Sequence, residues 1–164
     1  MNFSLPDTEG TLHSPGDAPA TVVAFTCNHC PYALAWHERL IAVADDYAGK
    51  GVKFLAVSSN DAVKYPADGP EANADRVARG EMSAVPYLYD ETQEVARQYG
   101  ARTTPDVFVF DADMELVYRG APDADHQDPS LNAKWLRHAL DAVLNGSEAP
   151  ESTEPVGCSI KWKA

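Results

Sequence analysis

The chain has 164 residues, the size of one domain with a sizeable core, and its 45% hydrophobic content is ordinary for a folded globular protein. Its 25 acidic and 13 basic residues give a formal net charge of −12, which argues against nucleic acid and against an anionic membrane surface as partners. Three cysteines, an odd number, argue against a disulfide-stapled scaffold and point to cysteine chemistry.

The opening stretch, Met1-Asn2-Phe3-Ser4-Leu5-Pro6, has neither the charged nor the apolar region of a signal peptide, and a cytoplasmic location is expected. No apolar run nears the roughly 20 residues of a membrane span. Residues 1–20 mix scattered apolar side chains with turn formers and read as a loop or short hairpin. The apolar run Thr21-Val22-Val23-Ala24-Phe25 predicts a buried strand ending at Thr26. From Pro31, apolar residues recur at Trp36, Leu40, Val43, Ala44 and Tyr47, the spacing of one helical face, and Gly49-Lys50-Gly51 closes that helix. Residues 52–57 predict a second buried strand, followed by the polar run Ser58-Ser59-Asn60-Asp61. Two strands joined by a helix of this length form a right-handed parallel βαβ unit.

Residues 62–70, with Pro66 and Gly69-Pro70, read as a loop, and 71–80 as a short polar helix. Residues 86–89 are a short extended piece. Asp90 and Gln93 stand at capping-box spacing before a helix expected over 91–100. Two β-rich runs, 107–110 and 115–119, flank a short polar turn and predict an antiparallel hairpin. Ser130 is the expected cap of a helix that presents Leu131, Trp135, Leu136, Ala139, Leu140 and Val143 on one face and ends at Gly146. Residues 147–156 form an extended tether, and 157–164 close the chain. The organisation is one domain over 1–146 with a tail, 147–164, docked on it.

The stretch with chemistry in it is Cys27-Asn28-His29-Cys30-Pro31. A Cys-x-x-Cys at a strand-to-helix junction places its first sulfur at a helix N-terminus, where free N–H groups and the dipole favour a thiolate. Cys27 is therefore the expected nucleophile, with a lowered pKa, and Cys30 the resolving thiol. His29, when protonated, favours the neighbouring thiolate.

Strand, Cys-x-x-Cys, helix, strand, helix, X-Pro, hairpin, helix is an order that resembles the thioredoxin fold. Phe3-Ser4-Leu5-Pro6-Asp7 and the extra segment at 58–100 resemble its redoxin branch, the peroxiredoxin-like and TlpA-like proteins. Phe25-Thr26-Cys27-Asn28-His29-Cys30-Pro31, Thr104-Pro105-Asp106 and the tail Gly157-Cys158-Ser159-Ile160-Lys161-Trp162 resemble a particular group of bacterial thioredoxin-family proteins. The resemblance implies an α/β fold with a central mixed sheet flanked by helices, an N-terminal extension and a C-terminal tail. It implies a cis Pro105 facing the dithiol and a Thr104 backbone that pairs with an extended substrate strand. Two departures stand out: Thr26 replaces the tryptophan of thioredoxins, and Thr21 replaces their buried carboxylate.

The function expected is thiol–disulfide oxidoreduction by a Cys27–Cys30 couple, on a protein or small-molecule disulfide or dithiol, with no cofactor. The alternative is a peroxiredoxin-like peroxidase acting on peroxide, with Arg119 or Arg102 steadying the thiolate. A third reading is structural zinc on Cys27, His29, Cys30 and Cys158. Asn60 could border the dithiol. Cys158 is either a third redox thiol or an idle residue of a docked tail.

Overall fold

The computed structural model describes residues 2–164. The turn formers near the N-terminus make a small antiparallel hairpin of β1 (Leu5–Pro6) and β2 (Leu12–His13). Asp7 organises its turn: its carboxylate accepts the Glu9 and Thr11 amides and meets His13 Nε2 at 2.8 Å.

The first apolar run becomes β3 (Ala20–Thr26), in which every residue is buried. Pro31 then opens α1 (Pro31–Ala48), and β4 (Lys53–Ser58) returns parallel to β3. A short 3₁₀ turn at Pro66–Asp68 leads into α2 (Pro70–Ala78), then β5 (Tyr87–Tyr89), α3 (Glu94–Tyr99) and β6 (Thr103–Thr104). The hairpin of β7 (Asp106–Asp111) and β8 (Leu116–Gly120) follows, then α4 (Lys134–Asn145) and the tail strand β9 (Cys158–Ser159). The main sheet runs β5-β4-β3-β7-β8, with β3, β4 and β5 parallel and β7 antiparallel to β3.

Successive side chains of a strand point to opposite faces, so β3 feeds two cores. Ala20, Val22 and Ala24 pack with Leu40 and Val43 of α1 and with Leu136 and Leu140 of α4. Val23 and Phe25 pack on the other face with Val95 and Tyr99 of α3 and with Ile160 of the tail. Fully burying a side chain such as Val, Leu or Phe contributes about 1.5–3 kcal/mol, so both faces fix the register of β3 and with it the place where Cys27 emerges.

Two helix starts differ from expectation. The last helix begins at Lys134, not after Ser130, because its anchor is distant in sequence: Asp123, 2% exposed, accepts the Ala133 amide at 3.0 Å, Trp36 Nε1 at 2.8 Å and Arg39 Nη1 at 2.9 Å. Leu131 thus lies outside the helix. The capping box at Asp90 and Gln93 does not form either. Asp90 reaches past it to the Val95 and Ala96 amides, and Gln93 turns to the tail. The tether is not free: the Thr153 amide donates to the Arg119 carbonyl at 2.9 Å, and its hydroxyl accepts the Ala121 amide at 3.0 Å.

Candidate active site

Cys27 follows the last residue of β3, and Cys30 is the N-cap residue of α1, with Pro31 in its first turn. The expected placement is therefore shifted, because the turn takes up residues 27–30 before the helix begins. The second sulfur, not the first, stands at the helix N-terminus. Cys27 Sγ still receives one amide from that end, the N–H of Cys30 at 3.3 Å.

Thr104 braces both sulfurs. Its hydroxyl lies 3.4 Å from Cys27 Sγ, and the Cys30 thiol donates to its carbonyl at 3.3 Å. The Thr104–Pro105 peptide is cis. Cys27 is 0% and Cys30 1% exposed.

The two thiols shift each other in opposite directions. The hydrogen bond between them pulls Cys30 down to about 4, against burial and with help from the Cys158 thiol and the Ala33 amide. The same bond, with burial, pushes Cys27 up, although the Thr104 hydroxyl and the His29 amide favour its thiolate. This corrects the expectation of a lowered Cys27. Cys30 has the helix end and the larger set of donors, so the first proton to leave the pair leaves from its side.

The turn is held from beneath by residues with no sequence motif to announce them. Asp68, 0% exposed, accepts the Asn28 amide at 2.7 Å and Asn60 Nδ2 at 2.9 Å, and lies 2.5 Å from His29 Nδ1. The His29 ring stacks on Tyr65 with an interplanar angle of 1°. Arg76 donates to the Cys27 carbonyl at 3.2 Å and to Asn28 Oδ1 at 2.8 Å, and the Tyr87 hydroxyl also donates to Asn28 Oδ1. Asp68 and Arg76 lie 41 and 49 positions beyond Cys27 in the numbering, in a stretch read as loop and polar helix. No local pattern could have picked them out.

The other expected residues are dispersed in role. Thr26 Oγ1 is buried without a hydrogen-bond partner. Asn60 joins Asp68 to the tail, accepting the Lys161 amide at 2.9 Å. Arg119 is engaged elsewhere: its guanidinium is paired with Asp106 at 2.7 Å and with the Gly100 carbonyl at 2.9 Å. Arg102 pairs with Glu154 at the surface. Cys158 is brought to the site: it packs on Cys27, Cys30 and Ala33, and lies opposite Thr104 in the β6–β9 ladder. Among the described residues, the group whose potential ligand atoms gather within 4.8 Å is Cys27, His29 and Asp68, not the Cys₃His set considered for zinc.

Residues 1–119 match the AhpC/TSA family. A conserved, uncharacterised protein from Geobacillus kaustophilus, known from its crystal structure, is 44% identical, with a TM-score of 0.91 over 99% of this chain and 89% of that one. A hypothetical protein from Sinorhizobium meliloti is 40% identical, with a TM-score of 0.90 over 100% of this chain and 92% of that one. A thioredoxin-like protein from Aeropyrum pernix, 17% identical, superposes with a TM-score of 0.61 over 88% of this chain and 89% of that one, and shares the fold. No curated protein matches the chain.

Proposed function

The chain belongs to the AhpC/TSA family and has the thioredoxin-like fold of the redoxins, and from that premise we propose that it is a thiol–disulfide oxidoreductase working through a Cys27–Cys30 couple. The observation behind this reading is the contact of the two sulfurs. The two sulfurs pack together in a turn braced by Thr104, its hydroxyl 3.4 Å from Cys27 Sγ and its carbonyl 3.3 Å from Cys30 Sγ, with the Cys30 amide 3.3 Å from Cys27 Sγ. A thiolate attacks disulfides, while a thiol does so poorly.

In the forward cycle a thiolate of the pair attacks a substrate disulfide and expels one substrate thiolate. The second sulfur then attacks the mixed disulfide, closes the Cys27–Cys30 bond and releases the substrate dithiol. Two electrons pass from the pair to the substrate, and the released dithiol takes up the one proton of the remaining thiol and a second from solvent. Thr104 and the Asp68–Asn28 contacts are positioning groups: they fix the sulfurs' approach without exchanging electrons. The partner is a protein or small-molecule disulfide or dithiol.

A peroxide substrate is the second reading, favoured by the family match. It would oxidise one sulfur to a sulfenic acid, which the other would convert to the same disulfide with loss of water. Against it stands the engagement of Arg119 with Asp106, which removes the expected cation from the thiolate. Equilibration of the reduced chain in thiol–disulfide buffers, followed by peptide mapping, tests the main reading. A Cys27–Cys30 disulfide that forms and reverses with buffer potential is expected. Thiols that stay free throughout would refute it.

A further inference from the structure

The two sulfurs of the pair are buried, and the tail lies over them. It is pinned on both sides of Cys158. Upstream, Thr153 is bonded to Arg119, Tyr118 and Ala121. Downstream, Ile160 is 2% exposed in the core, the Asp61 amide donates to the Lys161 carbonyl at 2.8 Å, and the Lys163 amide donates to Gln93 Oε1 at 2.9 Å. Between these anchors Gly157 passes so close to Thr104 that a Cβ would fall 2.2 Å from the Thr104 carbonyl oxygen. That approach sets Cys158 opposite Thr104 and packs it against the cluster that holds Cys30. Cys158 alone of the three cysteines is partly exposed.

We propose that Cys158 is a relay thiol that carries exchange between the buried Cys27–Cys30 pair and an external dithiol, through a Cys30–Cys158 disulfide. The inference rests on the dithiol reading above. In the oxidised protein, the Cys158 thiolate attacks Cys30 Sγ. The Cys30–Cys158 bond forms, the Cys27–Cys30 bond breaks, and Cys27 leaves as a thiolate that takes up the proton given up by Cys158. A thiolate of the external dithiol then attacks Cys158 Sγ, making a mixed disulfide and freeing Cys30. The second external thiol closes its own disulfide and restores Cys158. Two electrons have moved from the external dithiol to the buried pair. The bond order matches the packing, since Cys158 meets Cys30 and its other side meets solvent.

The charge balance suits the sequence of steps. In the reduced protein, burial and the hydrogen bond to Cys30 push Cys158 up to about 11, so it rests as a thiol. Once Cys30 is in a disulfide it no longer has a thiolate to raise its neighbour, and Cys158 ionises more readily when it is needed as the attacking group.

Two variants of the full chain test this. The first is Cys158→Ser, oxidised and then reduced by a short synthetic dithiol peptide, with rapid acid quench and mass mapping. Reduction of its Cys27–Cys30 disulfide is expected to be at least about tenfold slower than in the unmodified chain, since the external thiol loses its accessible sulfur. The second is Cys27→Ser, exposed to oxidised dithiothreitol, in which a Cys30–Cys158 disulfide is expected. If Cys158→Ser is reduced at the unmodified rate, or Cys27→Ser forms no Cys30–Cys158 bond, the relay is overturned while the dithiol couple stands. If the unmodified chain never forms a Cys27–Cys30 disulfide, the couple fails and the relay with it.

Discussion

Asp68 Oδ2 lies 2.5 Å from His29 Nδ1, so the one residue that interrupts the two cysteines with an ionisable side chain is tied to a carboxylate with no exposure to solvent. The same carboxylate takes the Asn28 amide and the Asn60 side chain, which makes it the fixed point from which the Cys27–Cys30 turn hangs.

Removing that point is expected to unfold the turn's support. Asp68→Ala strips the acceptor from the Asn28 amide and the Asn60 amide and leaves His29 without its partner. A loss of about 3 kcal/mol is expected, read as a lowered urea midpoint at unchanged slope. Asp68→Asn keeps an acceptor and should lose less than half as much. Equal, negligible losses for both would show that the carboxylate is not a support.

The pH dependence of the pair follows from the direction of each shift. Cys30 is an acid whose value is lowered from 9.0 to about 4, so its thiolate persists above that pH and is lost as pH falls through it. Its largest cause is the hydrogen bond from Cys27. Cys27→Ala, which removes that donor, should therefore move the titration, followed by thiolate ultraviolet absorbance, back up toward the ordinary cysteine value. A first ionisation in the unmodified chain near 9 would contradict the sulfur–sulfur bond.

Gly157 has a steric duty. Its missing Cβ would meet the Thr104 carbonyl oxygen at 2.2 Å and carbon at 2.7 Å, and both are backbone atoms that cannot swing aside. Gly157→Ala is expected to push the tail strand off Thr104 and expose the sulfurs beneath. Alkylation of Cys27 and Cys30 under native conditions should quicken by at least about tenfold, the opening of a locally stabilised segment. Unchanged alkylation would mean that the tail does not cover the pair.

Much of this architecture was readable in the amino-acid order. The runs at 21–26 and 52–57 are buried on both faces nearly throughout and so are mostly apolar, which is why they stand out as central strands. The Cys-x-x-Cys turn between strand and helix was equally plain. What was not readable depends on partners far along the chain. The start of α4 is set by Asp123 rather than by the nearby Ser130, whose local signal was the stronger one. Gln93 looked like half of a capping box, yet its amide donates to the Ser59 and Lys161 carbonyls. Asp68 and Arg76 matter because a loop folds back under residue 28, and no periodicity reports a fold-back. The reversal between the two thiols also escaped, because it turns on where within the turn the helix begins.

Arg119 separates the two chemistries. Its guanidinium pairs with Asp106, which has no exposure, so Arg119→Ala should cost about 3 kcal/mol in stability through the stranded carboxylate. The rate of disulfide exchange should be unaffected, and stopped-flow reaction of the unmodified chain with hydrogen peroxide should be no faster than that of free cysteine. A peroxide reaction orders of magnitude faster, abolished by Arg119→Ala, would move the assignment to a peroxidase.

The most direct test is the equilibrium of the pair itself: the unmodified chain held in thiol–disulfide buffers spanning about −320 to −120 mV, quenched and mapped by mass spectrometry. The account predicts a reversible two-electron transition with Cys27 joined to Cys30 on the oxidising side. Two sulfurs that remain separate thiols across the whole range would contradict it.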